Sequence, residues 1–152
     1  MAAHITQQIL AAVAAALVAA GTAAGARVYV DHPDELTPAL LPAIVITAGP
    51  EQIEPLNLGY PYTLQRVMLF DCIAVCQGSG AAAASRALAG QIEAALHASE
   101  SAARLGSLLK APLLLQSTDP SVSGQATQIV AEVRQTWRSV AFTVSGVPDA
   151  AA

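Results

Sequence analysis

The run Thr63-Leu64-Gln65-Arg66-Val67-Met68-Leu69-Phe70-Asp71-Cys72-Ile73-Ala74-Val75-Cys76-Gln77 decides how this chain folds. In an extended strand successive side chains point to opposite faces. Met68, Phe70, Cys72, Ala74 and Cys76 then point one way, and Leu69, Ile73 and Val75 the other, with Asp71 among them. Both faces are largely apolar, which predicts a strand in the middle of a sheet, covered on both sides. Asp71 is a charge in an apolar strand. Such a residue is either a perturbed catalytic acid or, as we favour, a partner for an arginine or a solvent-facing group at an edge. Cys72 and Cys76 are the two cysteines of the chain. Four residues of strand set them roughly 13 Å apart, and a disulfide needs Cα atoms within about 7 Å. The reading is two buried thiols in a reducing compartment.

Beyond this strand, Gly78-Ser79-Gly80 turns the chain into a helix over residues 81–103, with Leu88, Ile92 and Leu96 on one face and Arg86, Glu93, His97 and Arg104 opposite. Gly78-Ser79-Gly80-Ala81-Ala82-Ala83 has the form of the dinucleotide fingerprint G-x-G-x-x-A. Its context argues against that role. The fingerprint needs an acidic residue ending a second parallel strand about 20 positions on, and here that distance falls on Glu100, inside the same helix. A plain strand-to-helix turn is the better reading. Leu113–Ser117 predicts a strand, followed by a turn at Asp119-Pro120. In the last segment Ile129, Val133 and Trp137 have helical spacing, while Val140, Phe142 and Val144 alternate as in a strand; residues 125–137 stay open between the two, and the second half is read as strand. Trp137 is expected in the core.

Towards the N-terminus, residues 49–62 contain Pro50, Pro55, Gly59 and Pro61 and predict a long excursion or loose hairpin. Ala43–Ala48 reads as a compact β-branched strand, Asp31–Pro42 as a proline-rich loop, and Arg27–Val30 as a short strand. Ile5, Ile9, Val13 and Leu17 recur every four residues and predict an amphipathic helix over 4–20, stopped by Gly21–Gly25. This apolar, alanine-rich start loosely resembles a secretory signal, but Met1 to Gln8 hold no lysine or arginine. A membrane span is disfavoured because the run is mostly Ala and Gly and is broken at Gly21, Thr22 and Gly25. The resulting order is α-β-β-β-α-β-β, an α/β (α+β) class chain with a mixed central sheet flanked by helices. One domain is expected over 1–145, with a flexible tail at 146–152.

The 152 residues are 54% hydrophobic and 12% charged, against about 25% charged in an ordinary soluble domain. A surface so poor in charge is suited to a partner. The net charge is −4, and the cations are one lysine, Lys110, and six scattered arginines, Arg27, Arg66, Arg86, Arg104, Arg134 and Arg138. Backbone binding to nucleic acid requires clustered cations, so direct nucleic-acid recognition is disfavoured. No P-loop, H-E-x-x-H, C-x-x-C pair or nucleophile elbow occurs. Asp31, His32, Asp34 and Glu35 are a conceivable cation loop, read here as a polar surface loop. The three histidines, His4, His32 and His97, are far apart in sequence. No catalytic residue, metal or cofactor is expected. Tyr60 and Tyr62, with Glu51 and Glu54 in the same excursion, are the candidates for docking a partner.

Taken in order, the patterns resemble the tail terminator (minor tail, tail completion) proteins of long-tailed bacteriophages. The resemblance runs from the N-terminal helix to about Val144. It is carried by the helix of Ile5, Ile9, Val13 and Leu17; by Ala26-Arg27-Val28-Tyr29; by Leu41-Pro42-Ala43-Ile44-Val45-Ile46; by Leu64-Gln65-Arg66-Val67-Met68-Leu69; and by Leu88-Ala89-Gly90-Gln91-Ile92-Glu93-Ala94-Ala95-Leu96. Each is a common pattern, and their order and spacing carry the weight. The resemblance implies a subunit of a homo-hexameric ring in the virion tail or neck, assembled in the host cytoplasm. The ring would cap the tail tube, end its elongation and form the head-joining surface. Implied partners are further copies of the chain, the tail tube protein and head–tail connector proteins, with no membrane. Residues 49–62, with Glu51, Glu54, Tyr60, Tyr62 and Arg66, and the sheet edges would contact neighbours. Three other readings remain: another neck protein, a small ligand- or nucleotide-binding α/β domain using the Gly78–Ala83 turn, and a secreted protein with a cleaved N-terminus, whose mature chain would start near Gly25 or Ala26.

Overall fold

In a computed structural model, residues 3–32, 36–101, 105, 107–125 and 128–152 are described. The strand that decides the fold is β3, Thr63–Gln77, and it lies between β2 (Ala43–Pro55) and β5 (Val130–Val144), antiparallel to both. The short β1 (Val28–Val30) joins β2 in parallel, and β4 (Leu114–Ser123) closes the other side on β5, giving the order β1-β2-β3-β5-β4. A final strand, β6 (Val147–Ala151), pairs with the end of β5. The two helices are α1 (Ile5–Ala19) and α2 (Ala81–Ser101), and a 3-10 turn spans Pro38–Leu40. The class is α+β with a mixed sheet, as expected. Since β3 and β4 are each antiparallel to β5, they run parallel to each other, and β3-α2-β4 is a crossover with β5 inserted between its strands.

Both helices pack on one face of the sheet. Ile5, Ile9, Leu10, Val13 and Leu17 of α1 and Leu88, Ala89, Ile92 and Leu96 of α2 form one cluster with Met68, Phe70, Cys72, Ala74 and Cys76 of β3. Each fully buried large aliphatic side chain contributes about 1.5–3 kcal/mol of transfer free energy. The ends of α1 are set locally: the His4 Nδ1 accepts from the Thr6 amide at 3.3 Å, and Gly21, at φ 66, supplies the left-handed residue that ends the helix. Trp137 is fully buried against α2, edge-to-face with His97 at 5.5 Å. Gln135, also buried, donates from Nε2 to the Ala89 carbonyl at 3.0 Å and accepts from Trp137 Nε1 at 3.4 Å. The buried amide is thereby satisfied on both ends, as a buried polar group must be.

Several expectations are revised. β2 does not stop at Ala48 but continues to Pro55 across a bulge between Ala48 and Glu51, so the excursion shrinks to the hairpin loop 56–62. The bulge depends on Gly49, where a Cβ would lie 2.6 Å from the Leu69 carbonyl oxygen. Asp119-Pro120 is not a turn but lies within β4. From Val130 the ambiguous segment is strand, because the helical spacing of Ile129, Val133 and Trp137 is outweighed by a full ladder with β3. Residues Val147–Ala151, expected in a flexible tail, are an element, tied by the Ala152 amide to the Phe142 carbonyl at 2.7 Å and by Gln8 Nε2 to the Asp149 carbonyl at 2.6 Å. Covering on both faces holds for only part of β3: Ile73 and Val75 are buried, but neither helix packs on their face. The side chains of Asp34, Glu35, Glu100 and Arg104 lie outside what is described.

Candidate functional site

Nothing among the described residues groups three or more His, Cys, Asp or Glu side chains as a metal site would need. No described helix is long and apolar enough to cross a membrane. Asp71 has found its arginine: its carboxylate accepts from Arg134 Nη1 at 2.7 Å and from Thr136 Oγ1 at 2.8 Å, and the Arg134 side chain is half exposed. The cysteine thiols are free and buried. Burial pushes the Cys72 thiol well up, helped by the neighbouring Asp71 charge, and burial also raises Cys76. A thiol held neutral is a poor nucleophile. At the Gly78–Ala83 turn, the Gly78 amide donates to the Ile129 carbonyl at 2.9 Å and the Ala81 amide to Gly78 at 3.1 Å. Two of the amides a bound phosphate would use are occupied.

The conspicuous surface is elsewhere. Five large apolar side chains stand exposed at the far end of the β2–β3 hairpin: Ile53, Leu56, Leu58, Tyr60 and Tyr62, with Leu58 wholly exposed. Tyr60 and Tyr62 lie edge-to-face at 6.0 Å. The loop is held firmly. Asn57 Oδ1 accepts from the Thr63 amide at 2.9 Å, Leu56 donates to the Thr63 carbonyl at 2.8 Å, and Tyr62 and Ser145 exchange bonds at 3.0 and 2.8 Å. Behind it, Arg66 Nη1 pairs with Glu51 at 2.7 Å and Arg66 Nε donates to Thr143 Oγ1 at 2.8 Å. The structure thus joins Glu51 to Arg66 and Tyr60 to Tyr62. It sets Glu54 apart on the opposite face, in a polar depression with Gln52, Gln65, Val67 and Arg138.

The face of the sheet away from the helices carries a second feature. Near the end of β3, Val45, Ile73, Val75 and Val130 form the floor of a trough, a cavity of about 420 Å³ walled by Leu36 and Leu41 and rimmed by Ser123, Glu132 and Arg134. The arm bearing Leu41 is pinned in place by Gln77 Nε2 donating to the Pro38 carbonyl at 3.1 Å and by Arg27 Nε donating to the Pro42 carbonyl at 2.8 Å. Sequence reasoning missed both Leu58 and the trough. The signal for the first was present: Leu56, Leu58, Tyr60 and Tyr62 alternate through a segment too rich in Asn, Gly and Pro to be buried strand. The trough had no local signal, since its residues come from four separate stretches.

No protein-family model matches the sequence, and no curated protein does. Among solved structures, a chain of the virion of the native gene transfer agent (GTA) particle is similar over 92% of this chain and 92% of that one, with 19% identity and a TM-score of 0.45. A likeness of that degree bears on neither activity nor partners.

Proposed function

We propose that this chain is a structural assembly subunit that works by docking, of the tail-terminator type: copies close into a ring that caps a tail tube, ends its elongation and offers a surface for head joining. The observation that supports it is the hairpin tip, where Ile53, Leu56, Leu58, Tyr60 and Tyr62 are exposed together on a braced loop. Exposed clusters of apolar side chains mark interaction sites, and the bracing lowers the ordering cost of docking. The family resemblance drawn from the sequence supports the same reading. Its partners would be further copies, the tube protein and connector proteins, placing it in the virion tail or neck. The rival ligand-binding reading loses ground at the Gly78–Ala83 turn, whose amides are partly spent and whose strand has antiparallel neighbours on both sides.

The test is the native mass of the purified chain over a range of concentration and salt, followed by addition of tail tubes. Closed rings, or a chain that binds tube ends and blocks their growth, are expected. A chain that forms no ring and leaves tube growth unchanged would sink this reading.

A further inference from the structure

We infer that the sheet-face trough is a binding site for an organic cation, an ammonium or guanidinium group carried on an aliphatic stem. The site is separate from the hairpin tip and stands apart from the assembly reading. Its charges are the first reason. Glu132 is half-buried on the trough rim, and no hydrogen bond or ion pair holds its carboxylate among the described residues. A carboxylate drawn partly out of water without a counter-charge is unfavourable. The cation beside it is already engaged, since Arg134 Nη1 pairs with Asp71 at 2.7 Å. Asp119 lies opposite Arg134 in the β4–β5 register, and directly opposed residues share a face. Three carboxylates, of Asp71, Asp119 and Glu132, thus share this part of the sheet with the one guanidinium of Arg134. The local field favours a positive guest.

The walls suit the stem. Leu36, Leu41, Val45 and Val130 are half-buried and keep apolar surface open to the trough, while Ile73 and Val75 beneath them are already covered. Lysine and arginine side chains rest their methylenes on surface of this kind and leave the charged head at a polar rim. Val130 and Glu132 are alternate residues of β5, so the contacts for stem and head fall on one face. The volume of about 420 Å³ is that of a small-ligand site. A bare metal ion fits less well, because no three acidic, histidine or cysteine groups gather among the described residues. The same chemistry is carried by a free alkylamine and by a basic side chain of a partner protein.

The experiment titrates the isotope-labelled full chain and follows its backbone amides by NMR. The probes are n-butylammonium, n-butylguanidinium and a blocked glycine-lysine-glycine peptide, with n-pentanol as the uncharged stem. Saturable shifts at Val45, Val130 and Glu132 are expected with the cations and not with the alcohol. Glu132→Gln should weaken binding at least about tenfold, the scale of a lost hydrogen bond to a charged group. Val130→Lys sets an ammonium of the chain itself beside Glu132 and should exclude the probes. Glu93→Gln, on the exposed side of α2, should leave binding unchanged. Circular dichroism checks that each variant folds. Binding of the free amines alone assigns the site to a small molecule, and binding of the peptide as well assigns it to a partner's basic side chain. No saturable shift with any cation, equal shifts with n-pentanol, undiminished binding in the folded trough variants, or an equal loss in Glu93→Gln would each overturn the site. None of these outcomes touches the assembly reading, which native mass and tail-tube binding test separately.

Discussion

The two faces of the sheet are made from the same strands and meet different fates. On one, Met68, Phe70, Cys72, Trp137 and Ala141 lie under both helices in a continuous apolar layer with Gln135 satisfied inside it. On the other, Asp71, Glu132, Arg134 and Arg138 share the surface with Ile73, Val75 and Val130, and an open trough takes the place of a helix. The first face holds the fold together. The second presents charged and polar groups around a trough whose Ile73 and Val75 are themselves buried, and the exposed apolar surface stands instead at the hairpin tip.

Substitutions under the helices should therefore cost more stability than those at the exposed groups of the open face and at the hairpin tip. Trp137→Ala should lose about 3–5 kcal/mol of unfolding free energy in urea titration, because a large buried ring leaves a cavity. A loss below about 1 kcal/mol would break the comparison at its strongest point. Alkaline pH should act through the same face. The buried Cys72 thiol is raised from its ordinary value of 9.0. Above that pH the unfolded chain gives up the proton and the folded chain keeps it. Stability is therefore fully present below 9.0 and declines as pH rises beyond it, with a limiting slope of about 1.4 kcal/mol per pH unit from this group. Cys72→Ala should flatten that part of the profile, measured as unfolding free energy between pH 8 and 10.

Gln135→Ala should cost about 1–3 kcal/mol, since it removes the acceptor for the buried Trp137 Nε1. On the open face, the double-mutant cycle of Asp71→Asn and Arg134→Gln should report a coupling of only about 0.2–1 kcal/mol that shrinks in salt, because the arginine is half exposed. Smallest of all, Leu58→Asp should leave stability within about 0.5 kcal/mol of the wild type. A larger loss would mean that the tip packs within its own subunit.

Much of the covered face was legible in the chain. The alternation of Thr63–Gln77 predicted β3 with its observed ends, and the four-residue recurrence of Ile5, Ile9, Val13 and Leu17 predicted α1. Asp71 was expected to find an arginine, and Cys72 and Cys76 to be buried thiols. Those readings succeed because period-two and period-3.6 patterns are imposed by local geometry. The failures share a cause. Asp119-Pro120 looked like a turn, but β4 is an outer strand, where a residue without an N–H can be tolerated. Gly49-Pro50 looked like the end of β2, but a bulge absorbs them and the ladder resumes at Glu51.

The sequence by itself therefore determined the central strand, the two helices and which of their sides are apolar, since these follow from side-chain spacing along one segment. It also marked residues 49–62 as the place to look for contacts. Only the tertiary structure decided that both helices share one face, that Glu51 meets Arg66 while Glu54 points away, and that Leu36, Val45, Ile73 and Val130 converge on a trough. Those outcomes depend on strand order, bulge position and register, which bring together residues far apart in the chain and leave no periodic trace in it.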